Sequence, residues 1–314
     1  MDTKNSRQRA VNEGASMIRR QLLLAGAGLT GAALAAPRHA AARAVTKLDL
    51  KDPRTALESY VKLRGSLAEE TVFQPYEGDI FLVANGQLGI PLCGFHGLQK
   101  SIWRHAKDGG YVNTDFDIGF YLDYQSREVL KTWKNPLTAA EVEVFHYRSG
   151  PSGGRFSVGG RAGDVYGDVA GRWSVCGEQI WHTSAHWSER PNPLRPEDWP
   201  KASAGETILG SMSLTFAGRT SEVADPAVQQ APSLQVWTNT SSWMPWMEMG
   251  QRPGFNLWRW VGAKGTPTHL LDSALVTAVE RVCPGYVLND SVWRVPTSGR
   301  QDYMRQKTGL ELTR

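Results

Sequence analysis

The chain has 314 residues, with 35 Lys and Arg against 31 Asp and Glu, so its formal net charge is +4. Residues 1–44 hold seven of the basic side chains and two of the acidic ones, which leaves the rest of the chain close to −1. No later stripe of Lys and Arg is interleaved with aromatic residues, so the composition gives nucleic-acid binding little support.

The N-terminal segment, residues 1–44, has the order of a cleavable export signal. Its basic region ends in Arg19-Arg20, a run of small and apolar residues follows at Leu22–Ala36, and Ala42-Arg43-Ala44 provides small residues before cleavage at Val45. An arginine pair directly before the apolar run is typical of the twin-arginine variety. We predict export by the twin-arginine translocase to the periplasm. The alternative is an amphipathic or disordered tail.

The rest of the chain, residues 45–314, is predicted to form a single β-rich domain. No Pro/Gly/Ser linker, repeat or low-complexity tract divides it. The apolar run before it has only 15 residues, whereas a membrane-spanning helix needs about 20 predominantly apolar residues. We therefore predict no stable membrane span.

Two helices are predicted in this domain. Asp52-Pro53 provides an N-cap followed by Pro at the first helical position, and the helix that it starts breaks near Gly65. A second helix, His269–Val282, has apolar residues at helical spacing and ends before Pro284-Gly285.

Most of the remaining domain has the pattern of strands. In Tyr111–Tyr124 apolar and polar residues alternate, so that Asp115 and Asp117 share the polar face, and Gly119 is expected to form a bulge or bend. The other predicted strands are Asp79–Ala84, Ala140–Arg148, Arg172–His182, Thr207–Gly218, Pro232–Thr240 and Phe255–Ala263. Many strands with few helices between them predict a mainly β fold, an antiparallel barrel or strongly curved sheet with two or so peripheral helices.

Asp115 and Asp117 are the best pair of carboxylates for acid–base chemistry. If their face lines the lumen of a barrel, loss of water and mutual repulsion would raise the pKa of one of them. If it faces solvent, both are ordinary surface charges. His146 shares a face with Val142 and Val144, and its near-neutral pKa suits proton transfer. The alternative for His146 is a satisfied core residue.

The sequence predicts no metal site and no organic cofactor. His182 and His186 would be neighbours on a helix, but on a strand they lie about 13 Å apart. Cys93, Cys176 and Cys283 are odd in number and lack the spacing of a zinc site or a disulfide scaffold. The glycine-rich motifs that bind dinucleotides or phosphates are also absent.

Three stretches resemble a known family. They are Tyr121–Thr138, which contains Trp133-x-Asn135-Pro136-x-Thr138, then Asn192–Pro200 and Ser242–Gly254. Together they are similar to the bacterial domain of unknown function 1838, over roughly Leu57–Cys283. The resemblance implies a β-barrel-like fold and, in many members, a twin-arginine signal, but no established reaction. The chain departs from the family pattern at Ala139-Ala140 and in its tail, Arg294–Arg314.

The third stretch combines aromatic, sulfur-containing and charged residues. Trp243, Trp246 and Met249 stand beside Glu248 and Arg252, a mixture that suits an apolar pocket wall with one polar handle. The alternative is a packed barrel end with a Glu248–Arg252 salt bridge.

We therefore predict a protein that encloses an apolar aromatic small molecule. As a lyase, isomerase or dehydratase it would act without a cofactor, through His146, Asp115, Asp117 or Glu248. The residues predicted to contact the molecule are Tyr121, Trp133, Asn135, Trp243, Trp246, Met249 and Arg252. For Trp133 and Asn135 the alternative is a purely structural turn. For the whole protein the alternative is a lipocalin-like periplasmic binding protein without catalysis.

Overall fold

The computed structural model describes residues 48–84, 89–159, 172–265, 269, 271–293 and 299–309. The predicted export signal, residues 1–44, lies outside the described residues. Within those ranges, every helix is too short or too polar to cross a membrane.

The elements are named here in chain order. They are α1 Pro53–Arg64, β1 Val72–Val83, β2 Ile90–His105, β3 Tyr111–Leu122, β4 Thr132–Lys134, β5 Glu141–Glu143, β6 Tyr147–Ser152, β7 Arg155–Phe156, β8 Arg172–Cys176, β9 Gln179–Pro191, β10 Thr207–Arg219, α2 Thr220–Ala224, β11 Ser233–Ser241, a 3-10 turn Pro245–Met247, β12 Phe255–Lys264, α3 Ser273–Val282, α4 Gly299–Tyr303 and a π turn Met304–Thr308.

Ten strands form one antiparallel sheet. Its order is β6-β3-β2-β1-β12-β11-β10-β9-β8, with β7 also paired to β3, while β4 and β5 form a separate hairpin. The predicted mainly β, antiparallel fold is therefore confirmed. The barrel is not: in the described part of the chain β6 and β8 end the sheet, and no ladder joins them.

The sheet is strongly curved. Side chains of β6 and β9 line one cavity although the two strands are seven steps apart in the sheet. In a flat sheet, seven steps of about 4.8 Å would separate them by about 34 Å. The sheet must therefore curl until the strands near its two opposite edges line the same cavity.

The helix starts follow from side-chain caps. At α1 the Oδ2 atom of Asp52 accepts from the backbone N–H of Thr55 at 2.8 Å, and the helix ends at Gly65 as predicted. At α3 the Oδ1 atom of Asp272 accepts from the N–H of Ala274 at 2.7 Å. That cap starts α3 at Ser273, later than the predicted start at His269.

Three strand predictions were wrong in detail. The predicted strand Ala140–Arg148 is divided between β5 and β6, and Arg172–His182 is divided at a turn around Gly177, where φ is 58°. The expected bulge at Gly119 is absent, since β2 and β3 pair in unbroken register through it. A Cβ at Gly119 would lie 2.5 Å from the Phe95 ring, so the glycine makes room for a neighbouring side chain.

Both faces of β3 are covered. Phe116 and Ile118 pack on the outer side beneath Leu275 and Val279 of α3. Asp115 and Asp117 point to the opposite, inner side, because alternate residues of a strand face opposite ways. The covering helix thus leaves the polar face of β3 inside the curved sheet.

Candidate functional site

A cavity of about 940 Å³, the central cavity, lies against the inner face of the sheet. Alternate side chains of β1, β2, β3, β6 and β9 to β12 form its wall, together with residues of α1, the 3-10 turn and α4. One part of this lining, the aromatic wall, consists of Tyr76, Phe95, Tyr121, Trp243, Trp246, Trp258 and Trp260.

The rings of the aromatic wall hold one another in place. Tyr76 stacks on Trp260 with ring centroids 4.7 Å apart, and on Phe95 at 5.6 Å. Phe95 in turn contacts Tyr121 at 5.3 Å and the Trp258 ring edge-to-face at 5.2 Å. Such pairs pack with defined geometry, so the wall presents a fixed apolar surface to a ligand.

Asp117 places a carboxyl group beside the rings of this wall. The hydroxyl of Tyr76 donates to its Oδ1 atom at 2.5 Å. Burial raises the pKa of Asp117 to about 7, the bond from Tyr76 opposes that rise, and the nearby charge of Asp115 adds to it. Asp117 therefore exchanges its proton near neutral pH, which a general acid or base requires.

Asp115 is held in a different way. Its Oδ2 atom lies 3.4 Å from Nη2 of Arg64, in the last turn of α1, and its Oδ1 atom accepts from the side-chain amide of Asn113 at 3.1 Å. Burial raises the pKa of Asp115, while Arg64 and Asn113 oppose the rise. The guanidinium compensates this carboxylate, so Asp117 is the member of the pair left for proton exchange.

His146 does not line the central cavity. Its Nδ1 atom accepts from the backbone N–H of Tyr121 at 3.1 Å, and its ring packs against Phe120. Burial lowers the pKa of His146 to about 4, and the charge of Arg148 adds to the effect. The imidazole is therefore neutral and fixes the backbone of β3. This geometry favours the satisfied core residue over the catalyst.

Trp133 and Asn135 support the wall from behind. The indole N–H of Trp133 donates to the carbonyl of Leu92 at 3.1 Å. The amide of Asn135 donates to the carbonyl of Met247 at 2.8 Å, at the end of the turn that carries Trp246. Neither side chain belongs to the lining of the central cavity. Asn135 binds the turn through Met247, and Trp133 packs edge-to-face on Trp246 with ring centroids 5.7 Å apart.

The other members of the third stretch also lie behind the wall. Arg252 donates from Nη1 to the carbonyl of Met249 at 2.9 Å, and its own carbonyl accepts from the indole of Trp243 at 2.8 Å. Glu248 ends the 3-10 turn with φ of 50°. None of the ion pairs between described residues joins Glu248 to Arg252, unlike the alternative considered from the sequence.

The structure brings together five of the residues predicted from sequence. Lining the cavity are Asp115, Asp117, Tyr121, Trp243 and Trp246. The predicted residues that do not line it are His146, Glu248, Trp133, Asn135, Met249 and Arg252.

Sequence reasoning missed Tyr76 and the basic side of the cavity. His186 and Arg190 of β9 line it, as does Arg300 of α4. The even-numbered residues Ser184, His186 and Arg190 share a face, a signal that a longer predicted strand would have shown. No sequence pattern indicated Arg300, because it lies in the C-terminal segment Arg294–Arg314, which departs from the family pattern.

No set of three or more His, Cys, Asp or Glu side chains within the described ranges is close enough to hold a metal ion. His182 is buried between the rings of Tyr60 and Trp173, at 4.8 Å from each. Cys93 and Cys283 are buried, Cys176 is exposed, and these three cysteines form no disulfide.

The comparisons with known proteins identify a family but no activity. Residues 69–307 match the family described as "Protein of unknown function (DUF1838)". None of the curated proteins compared with the chain is significantly similar to it. Among solved structures, the crystal structure of MucB in complex with MucA(peri) is 9% identical with a TM-score of 0.13, and the match covers 67% of this chain and 92% of that one. So weak a likeness carries no argument.

Proposed function

We propose a function from the central cavity, starting from the premise that the chain belongs to the DUF1838 family. The cavity binds an apolar aromatic small molecule, and Asp117 moves a proton on that molecule without an organic cofactor. The reaction class is that of a lyase, an isomerase or a dehydratase. The observation that carries this proposal is a carboxyl group with a pKa of about 7 beside the aromatic wall.

The size and lining of the cavity support binding. Its volume of about 940 Å³ lies within the range of roughly 300 to 1,000 Å³ that small-molecule sites occupy. Such sites combine apolar and aromatic walls with a few placed polar groups. Tyr121, Trp246 and Trp258 provide the apolar contact, and Asp117 with Tyr76 provides the polar group.

The chemistry needs only Asp117 in its two protonation states. As a carboxylate, Asp117 takes a proton from a carbon or hydroxyl of the bound molecule. As a carboxylic acid, it returns that proton to another atom or to a leaving group. The hydroxyl of Tyr76 stabilises the carboxylate form, and an apolar wall strengthens the interactions between charges beside it.

A proton-abstraction probe tests the proposal. The compound 5-nitrobenzisoxazole is a small apolar aromatic molecule that opens to a coloured phenolate when a base removes one C–H proton. We expect the wild-type protein to accelerate this reaction, with a rate that rises as the pH passes through about 7. Asp117→Asn should lose the acceleration by about tenfold or more, because it removes the base.

Asp123→Asn is the matched control, since Asp123 follows β3 and is exposed. Binding of the probe is followed separately by quenching of tryptophan fluorescence. Equal rates for the wild type and Asp117→Asn, with the probe bound to both, would leave no accessible base in the cavity and remove the catalytic proposal.

The second candidate is a lipocalin-like binding protein. It is favoured by the bond from Tyr76, since that bond gives Asp117 a structural partner. In that case Asp117→Asn keeps the affinity for aromatic probes, and no turnover accompanies binding in either protein.

We further propose that the domain works in the periplasm after twin-arginine export. The supporting observation is the order of basic, apolar and small residues in residues 1–44.

A further inference from the structure

Arg300 of α4 is a cation of the cavity wall, and none of the ion pairs between described residues includes it. Its Nε and Nη2 atoms are buried, and no described residue accepts a hydrogen bond from either. The carboxylate next to it in sequence, Asp302, is engaged elsewhere, by Arg148 at 3.3 Å and by Arg305 at 3.1 Å. Buried guanidinium N–H groups without acceptors are unfavourable, so Arg300 lowers the stability of the folded protein unless a ligand supplies the acceptors.

Arg190 of β9 lines the same cavity and increases that cost. Burial lowers the pKa of Arg300 to about 10, and the like charge of Arg190 is the second cause. No ion pair found between described residues includes either arginine. Arg300, which is partly buried, and Arg190, which is exposed, thus line one cavity, and none of the described carboxylates pairs with either. We call these two side chains the basic end.

The acidic groups of the wall do not balance the basic end. Asp115 is compensated by Arg64 at 3.4 Å. Asp117 accepts from Tyr76 and is half protonated near neutral pH. Among the described residues, therefore, no carboxylate of the cavity wall neutralises Arg190 and Arg300.

We infer that the ligand of the central cavity is an organic anion, with an aromatic body against the aromatic wall and a carboxylate or sulfonate bound by Arg190 and Arg300. Guanidinium groups present paired N–H donors that match the oxygens of such an anion. The inference rests on the proposed function, because it assigns the substrate class of the same cavity. It requires no catalysis.

Two probes that share one ring system test the inference. These are 1-anilinonaphthalene-8-sulfonate and N-phenyl-1-naphthylamine, which differ by the sulfonate. We expect the wild type to bind the sulfonate about tenfold or more tightly than the neutral amine. Arg190→Gln and Arg300→Gln should each weaken sulfonate binding by about tenfold and leave amine binding within about twofold.

Two further variants act as controls. Arg259→Gln removes the same charge from an exposed position of β12 and should change neither affinity. Met212→Trp places a large ring on the inner face of β10, inside the cavity. It should weaken the binding of both probes, and that result would show that they bind in the cavity. Circular dichroism confirms that each variant is folded.

The outcomes separate this inference from the proposed function. If both probes bind with equal affinity and the arginine variants change neither, the cavity binds aromatic molecules but does not select anions, and the inference is wrong. It is also wrong if Met212→Trp leaves sulfonate binding unchanged, because the anion is then held elsewhere. If neither probe binds, the proposed aromatic site fails and the inference with it.

Discussion

At the scale of single residues, the environment of Asp117 decides its chemistry. A solvated aspartate has a pKa of about 3.9, but this one is surrounded by protein and opens only to the cavity. Asp115, two residues earlier on the same face, receives a guanidinium partner instead. Two identical side chains therefore have different polar partners, a guanidinium for Asp115 and a phenol hydroxyl for Asp117.

This environment predicts how stability depends on pH. Asp117 binds its proton more tightly in the folded protein, so its contribution to folding is complete below about pH 4 and is lost as the pH rises to about 7. Above that, the buried charge costs up to about 4 kcal/mol. Asp117→Asn removes the charge and keeps an acceptor for Tyr76. In urea unfolding at pH 8, we expect the free energy of unfolding of Asp117→Asn to be roughly 2 to 4 kcal/mol higher than that of the wild type. At pH 4 we expect the two proteins to be equally stable.

The control for this measurement is Asp123→Asn, which should show no such gain at pH 8. A difference between Asp117→Asn and the wild type that stays constant from pH 4 to pH 8 would contradict the assigned pKa.

Tyr76→Phe tests the hydrogen bond itself. The phenyl ring keeps the stacking on Trp260 and Phe95, whereas the donor to Asp117 is lost. Because that bond lowers the pKa of Asp117, we expect the pKa to rise by about one unit. Carboxyl resonances in ¹³C NMR report it directly. A pKa that is unchanged or lower would mean that the hydroxyl does not stabilise the carboxylate.

At the scale of elements, local chemistry was predictable and long-range register was not. The cap at Asp52 and the strand β3 depend on neighbouring residues, and both were predicted. However, β3 ends at Leu122 instead of Tyr124, and it is buried on both faces. The 16-residue strand β2 was missed, because glycines and Lys100 interrupt its apolar pattern. The need for these residues arises from contacts with other strands. Gly97 lies opposite Gly119, and a Cβ on Gly97 would lie 2.3 Å from the Tyr76 hydroxyl.

Lys100 illustrates how a polar residue can hold an element in place. Its buried Nζ atom donates to the carbonyls of Tyr286 at 3.1 Å, Asn289 at 3.0 Å and Val292 at 3.2 Å, which fastens the segment after α3 to β2. Lys100→Met leaves three carbonyls without this donor, so we expect a loss of about 3 kcal/mol in the free energy of unfolding.

Hydrogen exchange should locate the effect of Lys100→Met, with faster exchange in residues 286–292 than in β10 and β11. Lys134→Met, at an exposed position of β4, is the control. Uniformly faster exchange over the whole sheet would show that Lys100 does not act on this segment in particular.

At the scale of the whole molecule, the site is assembled from distant parts of the chain. Arg190 and Arg300 line the same cavity because the sheet curls: β9 lies near one edge of it, and α4 packs on β6 at the other. Residues more than 100 positions apart leave no shared local pattern, so sequence reasoning found the acidic pair on β3 and missed the basic end. The aromatic wall was partly predicted because Trp243 and Trp246 are close in sequence.

The export proposal concerns the whole protein and has its own test. We expect the mature protein, recovered from the periplasm, to begin at Val45 by mass spectrometry. The substitutions Arg19→Lys and Arg20→Lys together should leave the full-length chain in the cytoplasm, because the twin-arginine pathway reads the arginine pair. If the double variant still yields processed protein in the periplasm, export uses another pathway and the prediction is wrong.

Helix α4 packs on β6 and on the 3-10 turn, and one of its carboxylates pairs with β6. Asp302 pairs with Arg148 of β6 at 3.3 Å, while Tyr303 packs edge-to-face on Phe145 at 5.3 Å. Asp302→Ala leaves Arg148 without this partner, at an expected cost of about 2 kcal/mol. Since α4 carries Arg300, the variant should also release the sulfonate probe faster. Asp198→Ala, which breaks an exposed pair with Arg195, is the control.

The decisive measurement for Asp302→Ala is the distribution of hydrogen exchange. If Asp302 fastens α4 to β6, exchange accelerates in residues 299–309 and stays unchanged in β1, β2 and β12, whose ladders do not involve this pair. Faster release of the sulfonate probe with unchanged release of the neutral amine would then follow, because only the sulfonate depends on Arg300. Unchanged exchange in residues 299–309 would instead mean that ring packing alone holds the helix, and that the anion site does not depend on the ion pair.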